Sequence, residues 1–370
     1  MVIGVPKEIK EEEYRVSLVP AGAEMLTSSG HRVIVQASAG EGCGISDVEY
    51  RRAGAKILHS AMEVFQRADM IVKVKEPLPR EFPFLKPGQI LFTFLHLAPN
   101  PRLTRLLIKQ KITAIAYETI QVADGSLPLL APMSEVAGRM AIQAGAFYLH
   151  KDQGGRGILL GGISGVGHGR VIIIGGGTAG TCAAKVATGL GAEVTVLDVN
   201  INRLAYLEDI FMGKVETIMS NIHNIREAVL SADLLVGAVL IPGERAPRLV
   251  SEELVSKMKK GSVIVDVSVD QGGCVETIRP TTHRKPVYPL HGVIHYGVAN
   301  MPGAVSRTST FGLTNVTFPY TLALANRGVP GALKEDSALA RGVNIFKGFV
   351  THPGVAQAMG FPHEPLENLI

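Results

Sequence analysis

Short runs rich in valine and isoleucine alternate along the whole chain with longer stretches whose apolar positions recur at helical spacing. That alternation predicts parallel β-sheet wrapped by helices, an α/β fold. In the first third, strands are expected over residues 2–5, 32–36, 70–75, 90–95 and 113–117, with helices between them. Ser46 and Glu49 have the spacing of a capping box at the start of one of those helices. A helical pattern over about 134–151 leads into GGRGILLGGISGVGHG, a glycine-rich boundary before a second strand–helix series that runs from Arg170 to about Asn300. VSRTSTFGLTNVTFPYTLALANRG then reads as another long helix, and the tail beyond it is too short to hold its own core. The tail is therefore expected to pack on the N-terminal domain.

Composition narrows the class. With 370 residues, 46% of them hydrophobic, the chain can bury a sizeable core and exceeds what one core usually serves, so two domains are expected. A formal net charge of +4 comes from Lys and Arg scattered among acids, with no basic run interleaved with aromatics, which argues against nucleic acid as a partner. Cys43, Cys182 and Cys274 are far apart and form no CxxC pair, so neither a metal site nor thiol exchange is expected, and a reducing cytoplasm fits best. The opening MVIGVPKEIKEEEYR lacks the apolar core of a secretion signal. GILLGGISGVGHGRVIIIGGG, the most apolar stretch, is interrupted by His168 and Arg170 and carries too much glycine to span a bilayer.

VIIIGGGTAGTCAAKVATGLGAEVTVLD is the most informative segment. A buried strand pattern ends at Gly175, Gly177 and Gly180, the three positions of GxGxxG, and an alanine-rich helix follows. Gly175 suits the tight turn, Gly177 lets backbone approach a pyrophosphate, and Gly180 lets the helix pack close to the strand. Amides at the helix start, around Thr178 and Ala179, then face the phosphates. A second strand ends in Asp198, an acid placed to accept ribose hydroxyls and repel a 2′-phosphate, so NAD is favoured over NADP. Arg203 fits either of two roles: softening that discrimination or stacking on adenine.

Candidate chemistry on the substrate side is less local. ILFTFLHL ends on His96, either a satisfied core histidine or a proton-transfer group. VIVDVSVDQGG alternates, which predicts a strand with Asp266, Ser268 and Asp270 on one face, and Asp270 at its carboxyl end, where doubly wound sheets bind ligands. The competing reading is an acid hydrogen-bonded to the QGG turn, and it is stronger for Asp266. IVKVKEPLP sets Lys73 and Lys75 on one strand face, and EEEYRVSLVP carries Arg15. A small carboxylate substrate needs a forked donor such as Arg15 and a point charge such as Lys75 beside a proton-transfer group such as His96.

The stretches MVIGVPKEIKEEEYRVSLVP, IVKVKEP, LFTFLHLA, GGGTAGT, DVSVDQGGCVETIRPTTH and VANMPGAVSRTST, spread end to end, resemble the alanine dehydrogenase family, which includes the NAD-binding part of proton-translocating nicotinamide nucleotide transhydrogenase. The resemblance implies two Rossmann-like doubly wound domains, with a substrate domain made of about 1–130 and 306–370 around an inserted NAD-binding domain of about 131–305. It implies reversible oxidative deamination of L-alanine to pyruvate and ammonium with NAD, Arg15 and Lys75 holding the substrate carboxylate and carbonyl, and His96 and Asp270 as the catalytic pair. Met133, Ser134 and Asn300 are implied near nicotinamide or ribose, Asp198 at the adenosine ribose, and a homohexamer as the assembly. Gly176 departs from the familiar GAGTAG at a free position, and the GGISGVGHG stretch also departs from the expected pattern. Three other readings are an NAD(H)-binding subunit of a transhydrogenase, a non-catalytic NAD-sensing or structural protein, and, more distantly, a saccharopine dehydrogenase.

Overall fold

The computed structural model describes residues 1–239 and 246–370. Two units are present, one made of Met1–Met133 with Gly303–Ile370, the other of Ser134–Pro302. Their strands, in chain order, are β1 (Val2–Val5), β2 (Arg32–Gln36), β3 (Lys56–Leu58), β4 (Met70–Val72), β5 (Ile90–Thr93), β6 (Thr113–Ala116), β7 (Arg170–Ile174), β8 (Glu193–Asp198), β9 (Glu216–Met219), β10 (Leu234–Gly237), β11 (Val263–Asp266), β12 (Val287–Leu290), β13 (Val293–Tyr296), β14 (Val343–Phe346) and β15 (Phe349–Val350).

In the first unit the order is β15-β14-β6-β5-β4-β1-β2-β3, with β1 through β6 all parallel and β14 and β15 added antiparallel at one edge. The second unit runs β12-β13-β11-β10-β7-β8-β9, parallel except for β12. Each is a doubly wound α/β sheet whose winding reverses once, between β1 and β4 in one and between β7 and β10 in the other. Such sheets are covered on both faces, and the period-2 patterns divide accordingly. Ile3, Val33, Val35, Met70 and Phe92 join one core, whereas Val2, Ile34, Ile71 and Leu91 join the core on the opposite face. Val171, Ile173, Val236 and Val265 oppose Ile172, Ile174, Leu235 and Ile264 in the same way.

Several elements differ from expectation, each for a local reason. β4 stops at Val72, because the Val74 N–H donates to the Glu8 carboxylate at 2.6 Å. β5 stops at Thr93, because the Leu95 and His96 N–H groups donate to Glu118. β6 ends at Ala116, where a 3-10 turn takes over. β11 ends at Asp266, so Ser268 and Asp270 are not on a strand face with it; Val269–Gln271 is a 3-10 turn. β3, a three-residue strand at the sheet edge, was too short for its pattern to register. The helix expected over 134–151 spans Ala131–Tyr148, with Pro132 in its first turn, and a 3-10 turn follows at Lys151–Gln153. Ser46 and Glu49 do form the capping box. The long helix Ser306–Glu335 is kinked at Gly328 (φ 67°, ψ 171°), after which β14 pairs with β6. No helix among the described residues is long and apolar enough to cross a membrane.

Candidate active site

In parallel sheets the loops after each strand gather at one edge, and in the first unit hydrogen bonds stitch those loops to one another in order. The segment after β1 carries Arg15; Ser17 Oγ donates to the Val72 carbonyl at 2.7 Å, and Glu8 accepts from Val74, so this segment is tied to the end of β4. The segment after β4 carries Lys75, whose carbonyl accepts from Thr93 Oγ1 at 3.0 Å, while the Phe94 N–H donates to the Val74 carbonyl at 3.2 Å. The segment after β5 carries His96, whose N–H donates to Glu118 Oε1, beyond β6, at 2.7 Å. Arg15, Lys75 and His96 therefore lie along one carboxyl edge of one sheet.

The electrostatics of that edge are set by buried carboxylates. Arg15 is 2% exposed. Its Nε donates to Glu13 Oε1 at 2.6 Å, its Nη2 to Glu13 Oε2, and its Nη1 faces Met133 Sδ at 2.9 Å. Burial alone would raise the Glu13 carboxyl, but the bonds and charge of Arg15, with the charge of Lys75 added, reverse the effect and hold it at about 2. Two residues before Lys75, Lys73 is fully buried between Glu81 Oε1 at 2.8 Å and Glu8 Oε2 at 3.2 Å. Burial would drive its proton off; Glu8 and Glu81 outweigh that and raise its pKa, so it stays a cation. His96 is not a core residue. Its side chain is 48% exposed, its ring lies parallel to that of Phe94 with centroids 6.0 Å apart, and its Nδ1 is 3.9 Å from Glu118 Oε1.

The second unit presents the glycine turn. Gly175 has φ 101°, and a Cβ there would lie 2.6 Å from the Ala238 carbonyl oxygen, so both conformation and space require glycine. A Cβ on Gly180 would lie 1.8 Å from the Gly175 oxygen, which fixes how closely helix Thr178–Gly189 packs on the turn. Gly177 has nothing within 4 Å of the same position, which leaves its surface open to a phosphate. Thr178 and Ala179 form the first turn of that helix, whose dipole favours an anion there.

Asp198 braces the turn: Oδ2 accepts the Gly176 N–H at 2.6 Å and Oδ1 the Asn200 N–H at 2.8 Å. Each carboxylate oxygen has a second lone pair for a ribose hydroxyl. Arg203 donates to the Gly176 carbonyl at 2.5 Å and to Thr181 Oγ1 at 2.6 Å, with its guanidinium over the Tyr206 ring. It is thus a second brace of the turn. Gly138 of helix Ala131–Tyr148 abuts the Ala179 carbonyl, and Ser134 lies one helical turn before it. Asp270, exposed on its 3-10 turn, and Asn300, with φ 63°, follow the adjacent parallel strands β11 and β13 at the same carboxyl edge. Asp266 is buried instead. Its carboxyl, lifted by burial to about 6, accepts N–H bonds from Ser268, Cys274 and Val275 and organises the turn.

Comparison with known proteins decides the lineage. The family model described as "Alanine dehydrogenase/PNT, N-terminal domain" matches residues 4–137, and that for the C-terminal domain matches residues 141–353. The chain belongs to the alanine dehydrogenase/PNT family. It is 60% identical to the alanine dehydrogenase of Methanococcus maripaludis and 55% identical to alanine dehydrogenase 2 of Staphylococcus aureus, covering 100% of both chains in each case. A solved L-alanine dehydrogenase superposes with a TM-score of 0.94 at 53% identity, over 97% of this chain and 99% of that one. A transhydrogenase from Sinorhizobium meliloti superposes at 0.80 with 24% identity over 95% of this chain and 99% of that one, a likeness of fold. The fold expected from the family resemblance is the fold observed.

The sequence reading missed Glu8, Glu13, Glu81 and Glu118. The charged run EIKEEEYR marked only that acids were near Arg15, and nothing in spacing tells a buried clamp from a solvated face.

Proposed function

We propose that this protein catalyses the reversible NAD-dependent oxidative deamination of L-alanine: alanine, NAD and water give pyruvate, ammonium, NADH and a proton. The observation that carries the reading is 60% identity to an alanine dehydrogenase along the whole of both chains. The transhydrogenase-subunit reading rests on a likeness at 24% identity and is the weaker of the two.

The glycine turn suits a dinucleotide, since a side chain at Gly175 or Gly180 would fill backbone positions. Gly175, Gly177, Thr178, Ala179 and Gly180 would hold the pyrophosphate, Asp198 the adenosine ribose, and Met133, Ser134 and Asn300 the nicotinamide end. Arg203 would keep the turn in shape. NAD held there would supply the acceptor for the hydride leaving the alanine α-carbon.

Arg15 and Lys75 hold the substrate carboxylate and carbonyl; Glu13 fixes the Arg15 guanidinium, and bonds to Glu8 and Thr93 fix the Lys75 main chain. Loss of hydride makes the amine an imine; water adds to give a carbinolamine, which collapses to pyruvate and ammonium. Each step moves a proton near neutral pH, a task suited to imidazole, and His96 and Asp270 are the pair assigned to it. The exposure of both side chains supports access to substrate. A cytoplasmic location, supported by the three free cysteines, and a hexameric assembly, which rests on the family resemblance, belong to the same reading.

Incubation with L-alanine and NAD tests the reaction. NADH, pyruvate and ammonium are expected in equal amounts; NADH formation without pyruvate would refute it.

A further inference from the structure

His96 has φ 45°, in the left-handed region, an uncommon conformation outside glycine that needs local determination. Glu118 supplies that determination. Its Oε1 accepts the His96 N–H at 2.7 Å, and both its oxygens accept the Leu95 N–H at 3.2 Å. The acid sits on the 3-10 turn Tyr117–Thr119 directly after β6, and Thr93 of β5 is in register with Ala116 of β6, so the parallel ladder itself sets Glu118 beside the His96 loop. Its side chain is 15% exposed and its Oε1 is 3.9 Å from His96 Nδ1. His352, half-buried, also faces Glu118; it caps helix Pro353–Met359 and has His363 beside it.

We propose that Glu118 is the positioning residue for His96. It fixes two successive main-chain N–H groups so that the imidazole projects from the sheet edge in one orientation, and it keeps a negative charge beside the ring as the ring takes up a proton. The inference rests on the reading of His96 as a proton-transfer group. An isolated acid could serve only to cap a loop; here the capped residues are His96 and the one before it, and the carboxylate faces the ring as well as the backbone.

A double-mutant cycle on the full chain tests this, with turnover followed from pyruvate, ammonium and NADH across pH and melting temperature recorded for each variant. Glu118→Ala is expected to lower kcat roughly 100-fold, the scale of displacing a reacting group by about an ångström, with pyruvate KM moving less than about threefold. Glu118→Gln keeps an acceptor for the His96 N–H but loses the charge. It should cost about tenfold and shift to lower pH the limb of the profile that disappears in His96→Ala. If Glu118→Ala does not fold, Glu118→Gln decides. Added to His96→Ala, Glu118→Gln should cost nothing further. Normal turnover in His96→Ala would overturn the reading of His96 and this inference with it. A slow His96→Ala beside fully active Glu118 variants, or losses that multiply in the double variant, would overturn this inference alone.

Discussion

Glu13→Gln keeps the shape of the side chain and removes its charge, which leaves Arg15 buried with its ionic fork broken. Arg15 and Glu13 are each less than a tenth exposed, and breaking a buried pair from one side costs about 3–5 kcal/mol. A second route gives a similar figure. The folded carboxyl lies at about 2 against an ordinary 4.5, and at ~1.4 kcal/mol per pH unit that difference is worth about 3 kcal/mol.

For a unit of this size each kcal/mol moves the melting temperature by roughly 2–4 °C, so a drop of roughly 6–12 °C is expected at neutral pH. The pH dependence follows from the sign of the shift. Because the folded pKa lies below the unfolded one, the stabilisation is complete above about pH 4.5 and is lost as pH falls toward about 2, with about 2 kcal/mol left near about pH 3.5. Thermal melting of both proteins over that range is the assay. A difference below about 2 °C at neutral pH, or one that does not shrink on acidification, would refute the claim that Glu13 is the ionised partner of Arg15.

Three further outcomes follow from the same geometry. Lys75→Ala should raise the pyruvate KM by roughly 10- to 100-fold, the scale of a lost charge-assisted hydrogen bond, while NADH binding measured by fluorescence stays unchanged. Gly180→Ala forces a methyl group onto the Gly175 carbonyl and should weaken NADH binding roughly tenfold or more by the same titration. Asp198→Asn, neutral but able to keep an acceptor for the turn, should narrow the preference for NADH over NADPH, read as the ratio of the two Kd values.

The carboxyl-edge loops explain what could be read from the sequence and what could not. The run from Val171 to Asp198 announced its fold because strand, turn and helix are contiguous, so each glycine's role follows from local geometry. The types of Arg15, Lys75 and His96 were legible, but their placement on one edge depends on β1, β4 and β5 being adjacent, which no short window encodes. The exposure of His96 was equally hidden: the apolar run ILFTFLHL gives no sign that the backbone turns at φ 45° after Leu95.

Strand ends were over-extended for one recurring reason. At β4, β5 and β11 the backbone donors that would continue the ladder are taken by the side chains of Glu8, Glu118 and Asp266, all distant from the N–H they accept except for the bond from Ser268 to Asp266. Periodicity records what the sheet buries; it carries no information on which acid from another loop will intercept its hydrogen bonds.

The most direct measurement is the absorbance of NADH after addition of pyruvate alone, ammonium alone, and both. Oxidation is expected only when both are present, with alanine as the product. Oxidation by pyruvate without ammonium, or none with both, would contradict the proposed reaction.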